Sequence, residues 1–299
     1  MKILSFGSMN IDNTYSVDEF VQPGETMTAK NLSKFCGGKG LNQSIALASA
    51  GADVAHFGCV GEDGDILLDM LKSRGVNTDS VIKIDNITSG HAIIQVDSHG
   101  QNSILLYPGA NRRMTPELID RELEKYSCGD WLLIQNETNC LEYIMRAANK
   151  KGMKIAFNPS PMDGTVSTLP LELVDLFLVN EIEGAAVTGK EITEEITEEF
   201  EKLFPNAAVI LTLGKKGSIF KSEKDMLFQP SYCGTVKDTT GAGDTYTGFF
   251  IANYIKGVSP QECMRIAAMA STVQISRDGA AIAIPKKQEV LNALKNHCR

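Results

Sequence analysis

The sequence predicts an α/β fold: a doubly wound, mostly parallel central sheet flanked by helices, with a small β-sheet lid. The first observation is a set of short apolar runs that do not alternate and that end on polar residues: Leu132 to Gln135, Ile155 to Asn158, Phe177 to Asn180 and Val209 to Thr212. Strands covered by helices on both faces read this way. The second is a helical pattern between the first two runs, with Leu141, Ile144, Met145 and Ala148 on one face and a stop at Lys151-Gly152. The third is a pair of hairpin-like stretches early in the chain, which have no place in a parallel sheet.

Taken in order, Ile3 to Phe6 is a core strand. Tyr15 to Phe35, around the turn residues Pro23-Gly24, reads as an antiparallel pair. A glycine turn then opens a helix through Ile45, Leu47 and Ala48 to Ala50-Gly51, and Val54 to Phe57 is a further strand. His91 to Val96, a polar turn, and Ser103 to Tyr107 form the second antiparallel pair. The chain thus divides into a main domain of residues 1–11, 36–88 and 109–299 and a lid of residues 12–35 and 89–108. Two surface hairpins without function are the plainer alternative to a lid. The β/α rhythm follows, and a last helical run carries Tyr246, Phe249, Phe250 and Tyr254 to Lys256-Gly257. Ligands of such sheets sit beyond the C-terminal strand ends, which puts Glu137, Asn158, Asn180 and Gly214 on the candidate rim.

Charge and cysteine usage exclude several classes. The net charge is -8 and the lysine doublets are isolated, so no basic stripe offers itself to nucleic acid. Seven cysteines, Cys36, Cys59, Cys128, Cys140, Cys233, Cys263 and Cys298, are irregularly spaced with no C-x-x-C, and the four histidines lack metal-ligand spacing. Free thiols in a reducing compartment are the better reading. No run nears the ~20 apolar residues of a membrane span, and the N-terminal apolar run is too short for a signal peptide. A cytoplasmic protein is expected.

The most informative stretch is Asp238-Thr239-Thr240-Gly241-Ala242-Gly243-Asp244-Thr245. Its small residues let backbone approach a ligand, and a helix start supplies unpaired N–H groups and partial positive charge for phosphate oxygens. A carboxylate there, Asp244, is what phosphoryl transfer to a hydroxyl requires as proton acceptor. Alone, the octapeptide reads equally as a glycine turn capped by an acid that favours the helix dipole. Upstream, Gly37-Gly38-Lys39-Gly40-Leu41-Asn42-Gln43 is neither a P-loop nor a dinucleotide fingerprint, only a glycine turn that admits a ligand. Asn10 and Asp12 point the same way on an extended run and offer the donors and acceptors that sugars need; Asx residues after a strand are more often turn formers.

Five motifs in order and spacing change the reading: Asn10-x-Asp12, Gly37-Gly38-Lys39-Gly40-x-Asn42, Asn180-Glu181-x-Glu183, Thr212-Leu213-Gly214-x-x-Gly217 and Asp238-Thr239-x-Gly241-Ala242-Gly243-Asp244. Over essentially its whole length the chain resembles the ribokinase-like (PfkB) sugar kinases. The resemblance implies that Asn10, Asp12, Gly38, Lys39, Asn42 and Glu137 hold the sugar. It implies that Asn180 and Glu183 organise magnesium-bound phosphates, and that Thr212, Gly214 and Gly217 form the nucleotide loop. Gly241, Ala242 and Gly243 would offer amides to transition-state charge, with Asp244 as the base. A monovalent-cation (K+) loop is implied, from the carboxylate of Asp238 and the carbonyls of Thr240, Gln274, Arg277 and Gly279, with one departure: Ala283 stands where a hydroxyl ligand is usual.

The implied activity is transfer of the γ-phosphoryl group of ATP, with Mg2+, to the primary hydroxyl of a pentose, foremost D-ribose. Other acceptors in the family are nucleosides, fructose and 2-keto-3-deoxygluconate; a sugar- or nucleotide-binding regulator without turnover is the alternative from another class. A homodimer through the lid is also implied. Arg112-Arg113 reads as surface charge.

Overall fold

The structure, a computed structural model, describes residues 1–297, so Cys298 lies outside the described residues. The chain opens with β1 (Ile3–Phe6), β2 (Asn10–Ser16), β3 (Asn31–Gly37), α1 (Lys39–Ser49), β4 (Val54–Val60), α2 (Asp65–Ser73) and β5 (Val81–Lys83). β6 (Gly90–Val96) and β7 (Asn102–Tyr107) follow. Strands and helices then alternate: α3 (Pro116–Leu123), β8 (Trp131–Gln135), α4 (Leu141–Lys150), β9 (Lys154–Asn158), β10 (Leu176–Asn180), α5 (Glu181–Thr188), α6 (Thr193–Leu203) and β11 (Ala208–Thr212). Two further strands, β12 (Ser218–Lys221) and β13 (Met226–Gln229), precede α7 (Ala242–Tyr254), α8 (Pro260–Gln274) and α9 (Lys287–His297).

The large sheet has the order β13-β12-β11-β10-β9-β8-β1-β4-β5. Every pair from β11 to β5 is parallel, while β12 and β13 add an antiparallel edge. The unalternating apolar runs are explained by helices on both sides. Along β8, Leu133 packs with the α1, α7 and α8 layer, whereas its neighbours Leu132 and Ile134 pack with the α3, α4 and α6 layer. Strand side chains alternate faces, so two cores demand apolar residues at every position.

The second sheet has the order β3-β2-β6-β7, built from two antiparallel pairs joined by a parallel β2–β6 ladder. β2 starts at Asn10 and β3 runs on to Gly37, and these two residues pair across the ladder. The same continuity carries this sheet directly into the glycine turn ahead of α1. Arg112 and Arg113 are exposed, as surface charge requires. The six described cysteines are free thiols. No described helix is long and apolar enough to cross a membrane.

Candidate active site

The C-terminal ends of β8, β9, β10 and β11 face the starts of α1 and α7, and the site forms where they meet. Gly241 caps α7 at φ 75°, a left-handed conformation that glycine adopts without a Cβ penalty. The N–H of Ala242 is committed to the Thr239 carbonyl at 3.2 Å. Among the described residues, those of Gly241, Gly243 and Asp244 have no protein acceptor. They form the electropositive start of a 13-residue helix, and Asp244 lies in its first turn.

Asp244 is buried, yet its side chain lines a cavity of about 250 Å³. Lys39, Asn158, Asn180 and Glu183 line the same cavity. Each carboxylate oxygen of Asp244 accepts one amide: Oδ2 from Asn42 Nδ2 at 3.0 Å, and Oδ1 from Gln43 Nε2 at 2.9 Å. Gln43 also donates to Asn158 Oδ1 at 3.0 Å and accepts from Gln135 Nε2 at 2.8 Å. Asn158 reaches Glu183 Oε2 at 3.4 Å. A buried polar chain thus runs from the central strands to both carboxylates.

At the start of β2, Asn10 is buried and its Oδ1 accepts from Asn111 Nδ2 at 2.7 Å, while Asn111 Oδ1 holds the Met9 N–H at 2.9 Å. Asp12 lies on the same strand, two residues on. Burial, reinforced by the negative charge of Glu137, raises its carboxyl to about 7. Glu137 accepts from Ser8 Oγ and from the Lys39 N–H, the latter at 3.0 Å. Burial nonetheless holds its carboxyl above the usual range. Lys39 sits among Asp244, Glu137 and Glu183; burial disfavours its charge, but the three acids outweigh burial and keep it cationic. Gly38 turns the chain into α1 directly beneath Lys39.

Asn180 and Glu183 form a capping box at α5. Asn180 Oδ1 accepts from the Glu183 N–H at 2.8 Å, and Glu183 Oε2 from the Asn180 N–H at 3.0 Å. Thr212, Gly214 and Gly217 line a second, more apolar cavity of about 600 Å³. It shares Thr212, Thr239, Ala242, Gly243 and Tyr246 with the first. At Gly217 a Cβ would lie 2.1 Å from the Gln229 carbonyl oxygen, so only glycine fits this turn between β11 and β12.

The loop assigned to a cation is closed by the protein itself. Asp238 accepts the N–H groups of Thr240 and Gly279, and Arg277 turns its side chain to Glu289. Gln274 directs its side-chain amide, rather than its carbonyl, at the loop; that carbonyl accepts the Arg277 N–H. Sequence reasoning missed Gln43, Gln135 and Asn111. The available signal was slight: Gln43 is fully buried in a stretch of α1, Gly40 to Leu47, in which every residue is buried.

A carboxylate facing a cavity beside unpaired helix amides, with a cation between it and two further acids, suits a phosphotransferase with an alcohol acceptor. Residues 1–287 match the family described as pfkB family carbohydrate kinase, and the chain belongs to that family. It is 33% identical over 298 residues to a ribokinase of Haemophilus influenzae, covering 97% of each chain. Among solved structures it is similar to the ribokinase from Thermotoga maritima, at a TM-score of 0.88 and 32% identity over 98% of this chain and 99% of that one. The Arabidopsis thaliana ribokinase complexed with ribose and ATP superposes with a TM-score of 0.85 at 29% identity, over 98% of both chains.

Proposed function

We infer that this chain transfers the γ-phosphoryl group of ATP to the primary hydroxyl of D-ribose, giving ribose 5-phosphate and ADP. The observation that carries the reading is the shared cavity of Asp244, Lys39 and the free amides of Gly241 and Gly243. Nucleophile, base and anion seat can meet there within one small volume.

Asn10, Asp12, Lys39 and Glu137 hold the sugar, and Asn42 reaches it alongside Asp244. The carboxyl groups of Asp12 and Glu137 accept hydroxyls while Asn10 and Lys39 donate. The adenosine end of ATP enters the apolar cavity past Thr212, Gly214 and Gly217, and its phosphates extend toward α7. The sugar oxygen attacks the γ-phosphorus in line, the bond to the β-phosphate oxygen breaks, and the hydroxyl proton passes to Asp244. A carboxylate is a weak base toward an alcohol, so the proton moves late. Alignment and charge stabilisation by the helix amides and Lys39 supply most of the acceleration.

Mg2+ fits the residues present. Glu183 makes its protein bonds through Oε2, which leaves Oε1 for a hydrated ion at the edge of the cavity. A magnesium carried by phosphates needs only one or two protein carboxylates. Asn180 and Glu183 would hold it through water, and when bound it neutralises phosphate charge.

The small sheet serves as a lid over the sugar and as a dimer surface. Phe35, Ile104 and Leu106 are exposed apolar residues on the face that carries Asp12, judged from the cross-strand pairs Asp12–Phe35, Asp12–Ala92 and Ala92–Leu106. A second copy would cover them. Free thiols suit a cytosolic setting. Measuring ADP release over ribose, 2-deoxyribose, fructose, 2-keto-3-deoxygluconate and nucleosides tests the reading. The highest kcat/KM should fall to ribose, and a nucleoside preferred over every sugar would overturn it.

A further inference from the structure

The loop ahead of α7, expected by resemblance to wrap a potassium ion, does not fit one. Gln274, the last residue of α8, is fully buried. Its Nε2 lies 3.1 Å from the carbonyl oxygen of Thr240, 3.1 Å from that of Gly279 and 3.0 Å from that of Ala280. Asp238 and the Gln274 carbonyl are engaged as well. Asp238 accepts two backbone N–H groups, from Thr240 at 2.8 Å and Gly279 at 2.9 Å. The Gln274 carbonyl accepts the Arg277 N–H at 3.1 Å. Position 283 is a buried alanine and offers no hydroxyl.

Converging carbonyl oxygens are a negative cage that must be met by a cation or by donors. A glutamine amide nitrogen carries two N–H groups and no lone pair for hydrogen bonding, so the cage itself dictates the orientation of Gln274. Turning Oε1 inward would set a fourth acceptor against three. We propose that the Gln274 side-chain amide takes the place of the monovalent cation in this chain, tying the turn before Gly241 to the 279–280 turn, so that the site is organised without potassium. The donor is covalently part of the fold and is present at every salt composition. The lost hydroxyl at position 283 and the satisfied carboxylate of Asp238 follow from the same exchange: neither is needed once no ion is held.

The kinetic arm of the test rests on the phosphotransfer reading, and the thermal arm does not. Thermal unfolding and ribose phosphorylation are compared in potassium chloride and in tetramethylammonium chloride at equal ionic strength. The unaltered chain should unfold at the same temperature in both, with rates agreeing within about twofold. Gln274→Ala strips the cage of its donors. In tetramethylammonium it should melt lower and turn over at least about tenfold more slowly, and potassium should restore part of both. That rescue separates a replaced ion from a merely structural glutamine. If the variant fails to fold, the two salts on the unaltered chain still decide. A potassium-dependent rise in its melting temperature or a large gain in its rate overturns the proposal, as does a Gln274→Ala chain unimpaired in tetramethylammonium. Lack of turnover with every acceptor would instead defeat the phosphotransfer reading and leave the thermal comparison standing.

Discussion

Gln43 Nε2 donates to Asp244 Oδ1 at 2.9 Å, bridging two residues 201 positions apart in sequence. With Asn42 on the other oxygen, the carboxylate is held between two amides that cannot take its proton. They fix its direction and leave it unprotonated by either partner. Through Asn158, the same glutamine reaches the capping box of Glu183, so Asp244 and Glu183 share one support.

Asp244→Asn keeps the shape of the site and removes the proton acceptor. kcat for ribose should fall by roughly 10²–10⁴-fold. Calorimetric affinities for ribose and ATP should stay within a few fold. A near-normal rate would sink the assignment of the base.

Gln43→Leu strands Asp244 Oδ1, Asn158 Oδ1 and Gln135 Nε2 in a buried setting. Each stranded group costs about 1–3 kcal/mol, so the melting temperature should drop clearly. Steady-state kinetics should show a loss in kcat larger than any rise in KM for ATP, because the aim of the base is what is lost.

Asp12 should impose a pH dependence. Its folded-state carboxyl lies at about 7, above the ordinary 3.8, so the folded chain holds this proton where the unfolded chain has released it. The stabilising contribution is complete below the unfolded value and is lost as pH rises through about 7. Sugar binding by the ionised form runs the opposite way, and kcat/KM for ribose should climb between pH 6 and pH 8, about one unit either side of that value. Asp12→Asn should weaken ribose binding, abolish the climb and raise the melting temperature at pH 8 more than at pH 5. A flat profile in the unaltered chain would contradict the role.

Glu183→Gln retains an acceptor for the Asn180 N–H, and glutamine serves in a capping box, so folding should be spared. The magnesium concentration for half-maximal rate should rise about tenfold, as loss of a group that holds a metal through water typically costs. An unchanged magnesium titration would remove Glu183 from that role.

Leu106→Arg places charge on the exposed apolar face of the small sheet. Light scattering should register a shift from dimer to monomer, with KM for ribose raised and kcat less affected. A monomeric parent chain would end the dimer proposal directly.

Much of this arrangement was legible beforehand, for identifiable reasons. Leu132 to Gln135 and its sister runs announced a doubly covered sheet because burial on both faces leaves no room for alternation. The glycines around Lys39 and before Asp244 were legible because close backbone approach and a left-handed cap restrict residue choice locally. Gln43 and Gln135 were not, since a buried amide in a core position carries no mark of its partner. Gln274 was read through its backbone, and only packing revealed that its side chain fills the loop.

The sequence by itself determined the element types, the two-faced core, the turn chemistry and the family, since each depends on periodicity or on residues with few conformational options. The tertiary structure decided which buried amides meet which carboxylates, how far burial lifts Asp12, and what sits among the carbonyls of Thr240, Gly279 and Ala280. Those outcomes depend on distances between segments far apart in the chain and on the loss of water around them. Neither is encoded in any single stretch.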